Sequence, residues 1–106
     1  MDTDTLLVIT TCPDKANAEF LSTHLIESNL AACINQLPGI SSVYRWEGEL
    51  KSGTEVLLLI KTIRSAWDKL EVEIKDNHPY ELPEIIAIPI STGYEAYLNW
   101  IHSAIK

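Results

Sequence analysis

Residues 55–63, EVLLLIKTI, constrain the fold most, because Val56 through Ile60 are aliphatic without a break. Successive side chains of a β-strand point to opposite faces, so Val56, Leu58 and Ile60 face one way and Leu57 and Leu59 the other. A strand of this kind needs cover on both sides. TLLVITT (5–11) and EIIAIPI (84–90) also lack polar alternation. The sheet these segments build is therefore expected to be apolar on both faces.

Between the strands the period changes to that of a helix. PDKANAEFLSTHLIESN follows the first strand, with Asp14 as the expected N-cap and Ala18, Leu21 and Leu25 on one face. LAACINQL returns to strand character, and Pro38-Gly39 predicts a turn or bend. ISSVYRWE (40–47) and EVLLLIKTI flank the polar GELKSGT, which predicts a hairpin with a moderately long loop. In SAWDKLEVEIKDN (65–77), Trp67, Leu70 and Ile74 share a helical face, and Pro79 stops the helix. YEAYLNWIHSAIK closes the chain as a helix with Tyr94, Tyr97, Leu98, Ile101 and Ile105 aligned.

The order β-α-β-β-α-β plus a terminal helix is that of an α+β, ferredoxin-like domain with an antiparallel sheet. It puts the fourth strand on an edge, where Pro89 is tolerated. Two crossover helices cover one sheet face, and the short terminal helix is a small lid for the other. Soluble monomers avoid exposing so large an apolar patch, so further copies of the chain are expected to bury it.

The 106 residues form a single domain, 1–106, with no repeat or linker. A net charge of -7, with the eight Lys and Arg scattered along the chain, argues against a nucleic-acid partner. No apolar run approaches a membrane span, and the amino end lacks the basic and apolar regions of a signal peptide. The expected location is the cytoplasm. Cys12 and Cys33 form neither a CxxC motif nor a disulfide framework.

The polar groups gather in HPYELPEIIAIPI (78–90) and in the hairpin. His78 is the best single metal-ligand candidate, with Cys12, Glu81 and Glu84 as helpers. The structural reading, a histidine that caps the preceding helix, is the simpler one, since three or four ligands must converge on a metal. Cys12 precedes a helix start, where the dipole lowers a thiol pKa, although a packed thiol is the simpler expectation. His24 falls on the apolar arc of the first helix as a half-buried structural histidine. Trp46, Lys61, Tyr80 and Glu84 are candidates for an inter-subunit cleft that holds a small polar or anionic ligand, or else for a structural ion pair at a subunit boundary. Lys61 ends an apolar strand and needs a partner, for which Glu84 and Glu47 are available. No nucleophile–base pair or phosphate loop is legible, so no catalytic residue is assigned and no organic cofactor is expected.

LAACINQLPGISSVYRWEGEL, EVLLLIKT, HPYELPEIIAIPI and YLNWI, in this order, resemble the CutA family of divalent-cation tolerance proteins. The resemblance implies a ferredoxin-like homotrimer, akin to PII-type signalling trimers. It also implies a role in the response to divalent metals, copper above all, without enzymatic activity. The copper site proposed in some members uses a cysteine where this chain has Thr10 and a histidine pair where it has Asn77-His78, so only His78 matches.

Overall fold

The computed structural model describes residues 4–105, in the order β1 (Thr5–Cys12), α1 (Lys15–Glu27), β2 (Cys33–Trp46), β3 (Glu49–Ile63), α2 (Trp67–Asp76), β4 (Ile86–Pro89) and α3 (Glu95–Ala104). A 3-10 turn, Arg64–Ala66, leads into α2. One sheet in the order β2-β3-β1-β4 has every neighbouring pair antiparallel, as the element order predicts. Pro89 does sit on an edge strand, opposite Leu6.

The core lies between this sheet and the two crossover helices. Leu6, Val8 and Cys12 of β1 and Val56, Leu58 and Ile60 of β3 face Ala18, Leu21 and Leu25 of α1 and Leu70 and Ile74 of α2. The register seats Val8 opposite Ile60 and Cys12 opposite Val56. Asp14 caps α1 as expected, its Oδ1 accepting from the Asn17 backbone N–H at 2.8 Å. Past the C-cap Ser28, Asn29 has a φ of 60°, with Asn29 N–H donating to Ile26 O and Leu30 N–H to Leu25 O. That pairing is a Schellman stop, with asparagine in the position usually held by glycine. His24 of α1 meets Glu73 of α2, Nε2 to Oε1, at 2.6 Å, and the pair is half-buried.

The opposite sheet face carries Leu7, Ile9, Leu57 and Leu59, flanked by Ile86 and Ile88 of β4. α3 covers part of it with the buried Leu98 and Ile101. The cover is incomplete. Leu37, Ile86 and Ile88 remain 40–47% exposed in the single chain.

Two expectations about the hairpin need correction. GELKSGT is no loop, because β3 starts at Glu49 and pairs with β2 from Trp46↔Glu49 onward. Glu47 and Gly48, with φ of 51° and 80°, make the two-residue turn. Nor does Pro38-Gly39 end a strand. Leu37 pairs with Leu57 and Ile40 with Glu55, so Pro38 and Gly39 bulge against Val56 alone, Gly39 at a φ of 75°. Beyond the bulge the two strands form an arm on a molecule 44 Å long and 26 Å wide.

Candidate functional site

A cleft of about 930 Å³ runs along the arm between Ser41–Trp46 and the connection from α2 to β4, residues 79–84, with Glu55 at its base and Trp46 beside the turn. Proline at 79 and 83 narrows the backbone choices of that connection. A chain of hydrogen bonds then fixes it against the sheet. The Tyr80 backbone N–H donates to His78 Nδ1 at 3.2 Å. Nδ1 therefore carries no proton, and the protonated Nε2 donates to the Thr11 carbonyl at 2.8 Å. The Tyr80 hydroxyl donates to Glu55 Oε2 at 2.7 Å, crossing to the first residues of the sheet-bound part of β3.

The charges follow from these contacts. Burial holds His78 below the ordinary imidazole value, against opposing effects of the Thr11 hydrogen bond and Glu55. Burial acting alone would raise Glu55, but hydrogen bonds from Ser42, Tyr80 and Thr11, with His78 nearby, leave its carboxyl below the ordinary value. Burial, then Glu55, pushes the Tyr80 phenol up. Cys12 is pushed up to about 11 by burial, with Asp14 and Glu55 adding to the effect. Its thiol faces the core, and the Asp14 carboxylate already occupies the N-terminus of α1. A dipole-activated thiol is thus ruled out.

These shifts dictate a pH dependence. Unfolded, His78 takes a proton near its ordinary 6.5, which the folded site resists, so stability falls as pH drops below that value. The contribution of Glu55 is present above its ordinary 4.5 and is lost as pH falls through its lower folded value. Folded Cys12 keeps its proton past the ordinary 9.0, so its contribution is lost as pH rises from there towards about 11. The urea midpoint is expected to be level from about pH 7 to 9 and to decline on both sides. In His78→Gln the acid decline should begin near pH 5 instead. A wild-type midpoint level down to pH 5 would mean that His78 is not held neutral.

Trp46, Tyr80 and Glu84, three of the four candidates for the inter-subunit cleft, border this space within one chain. Lys61 does not. It lies six residues along β3 from Glu55, about 20 Å at strand spacing, opposite Leu7 and Cys33. Its ammonium donates to the Asn35 side-chain oxygen, and neither Glu84 nor Glu47 is its partner. Glu55, Thr11 and Ser42 belong to the site without having been singled out in the sequence. Glu55 opens an aliphatic run, and nothing local signals that Tyr80, 25 residues on, reaches it.

The proposed metal ligands do not fit a copper centre. Both ring nitrogens of His78 are engaged, the Cys12 thiol is buried and protonated, and Glu81 and Glu84 stand exposed at the cleft rim. Among the described residues no group of three His, Cys, Asp or Glu converges in a way that would hold a metal ion. Cys33 is half-buried against Tyr97 of α3.

A ferredoxin-like sheet with a long β2-β3 arm, a third helix on its second face and a cleft along the arm defines the class of domain. The CutA1 divalent ion tolerance protein family matches residues 6–104, and the chain belongs to that family. The divalent-cation tolerance protein CutA of Thermus thermophilus is 44% identical over 95 residues, 90% of this chain and 92% of that protein. Its counterpart in Pectobacterium atrosepticum is 40% identical over 97% of this chain and 94% of its own length. Among solved structures, CutA from Xylella fastidiosa superposes with a TM-score of 0.94 at 43% identity, covering 97% of this chain and 99% of that one. CutA1 from Oryza sativa gives 0.94 at 41%, covering 98% and 95%.

Proposed function

We propose that the chain acts in divalent-cation tolerance as a non-enzymatic, PII-like homotrimer that takes a small ligand in the cleft along the arm. One observation carries this reading: Trp46 (beside the turn of the arm), Tyr80 and Glu84 line one space of about 930 Å³. That volume lies in the range of small-molecule sites, and aromatic walls with a few placed polar groups are their usual lining. Tyr80 bonded to Glu55 couples the ligand-facing connection to the arm. A ligand held there bears on both walls, and the arm gives the assembly a lever. Copper held by His78 is not part of the proposal, because the metal would have to break one of its two hydrogen bonds.

Titrating charged and polar metabolites while following tryptophan emission tests the reading. A response is expected in the wild type, lost in Trp46→Phe and kept in Lys61→Ala. A screen in which nothing moves the emission would overturn the cleft as a ligand site.

A further inference from the structure

We infer that the cleft selects an organic ammonium ion: a protonated amine on a compact apolar body. This rests on the cleft being the ligand site and adds the chemical class that it takes. Three features of the lining point the same way.

The first is charge. Among the described residues lining the cleft, Glu55, Glu81 and Glu84 are anionic and Arg45 alone is cationic. The Arg45 guanidinium is drawn towards the turn of the arm, with Nη1 3.4 Å from the Gly48 carbonyl. Lys61, the residue that would favour an anion, points elsewhere and bonds Asn35.

The second is the inventory of donors and acceptors. The Tyr80 hydroxyl gives its proton to Glu55, as do the side chains of Ser42 and Thr11. The Tyr80 backbone N–H is spent on His78. Hydroxyl protons committed in this way leave these oxygens with acceptor capacity only. An anion needs donors and finds few. An ammonium needs acceptors and finds the hydroxyl oxygens together with the Glu81 and Glu84 carboxylates.

The third is aromatic. Tyr44, Trp46 and Tyr80 line the same space. Ring faces carry the negative end of the quadrupole and attract a cation beside them, most strongly in tryptophan. Leu82 and the two prolines then accommodate the apolar body of the ligand.

The test is isothermal titration of the full chain at neutral pH with 2-phenylethylammonium and with 3-phenylpropionate, which share a phenylethyl skeleton and carry opposite charges. The ammonium is expected to bind and the carboxylate to give no heat above dilution. Glu81→Gln with Glu84→Gln, both exposed and so tolerated by the fold, should weaken the ammonium about tenfold. Binding of the carboxylate in preference to the ammonium would overturn the inferred chemistry and leave the cleft standing as a ligand site. Ammonium binding undiminished in the double variant would overturn it too, by placing the contact elsewhere. If neither probe binds, the inference falls, and the metabolite titration separately decides the cleft.

Discussion

Leu58→Ala is expected to destabilise the chain by about 3–4 kcal/mol. Leu58 is fully buried on β3, one of the two central strands, facing α1 and α2. Both flanks of that strand are held by ladders, to β1 on one side and β2 on the other. The backbone therefore cannot sink into the space that the missing carbons leave, and the cavity persists. One local feature moderates the cost. Thr10, directly across the ladder, has a buried hydroxyl with no hydrogen-bond partner. A water admitted by the cavity would satisfy it, which keeps the expectation below the top of the range seen for such changes. The measurement is the urea midpoint at fixed protein concentration, converted with a common slope. Leu57→Ala serves as the comparison, since its half-buried side chain lies on the other face. A cost at Leu58 under about 1.5 kcal/mol, or no larger than at Leu57, would mean that the layer between sheet and helices is not the rigid part of the core.

What the sequence made legible follows from where burial is one-sided. α1 and α2 pack one stripe against the sheet, so Ala18, Leu21, Leu25, Leu70 and Ile74 announced themselves by spacing, and all five are buried. The arm stayed hidden for the same reason in reverse. Its strands beyond the bulge lie largely exposed, so Glu49–Thr54 carry no apolar face and read as a loop. Pro38-Gly39 looked like a turn because proline and glycine mark both turns and bulges, and only the pairing across to Val56 separates the two. Parity would have placed Cys12, since it continues the inward series of Leu6, Val8 and Thr10. An unbroken apolar strand conceals which parity faces inward. Trp46, Tyr80 and Glu84 border one space because the connection after Pro79 lies along the arm, a placement that residue type does not carry. Lys61 was misplaced because its separation from Glu84 depends on how far β3 runs past the arm base, and residue type carries no such length.

Ile88→Lys is expected to convert the proposed trimer into single chains that remain folded. Ile88 stands on the sheet face that α3 covers only in part, next to Leu7 in the register and 44% exposed in the single chain. There a lysine lays its stem along the sheet and its ammonium in water, at little cost. Buried between copies, the same ammonium loses its hydration with no carboxylate built to receive it, a penalty of several kcal/mol at each interface. At about 1.4 kcal/mol per factor of ten, that weakens association by roughly a thousandfold or more. Ile86 and Leu37 extend the apolar face, while Val43 and Leu50 on the arm are 70% and 72% exposed. Sedimentation is the deciding measurement. The wild type should run at three times its 11.9 kDa chain mass, and Ile88→Lys at the mass of one chain with its far-ultraviolet spectrum unchanged. A wild type that sediments as a single stable chain at micromolar concentration would show that this face tolerates water, and the trimeric reading would fall with it.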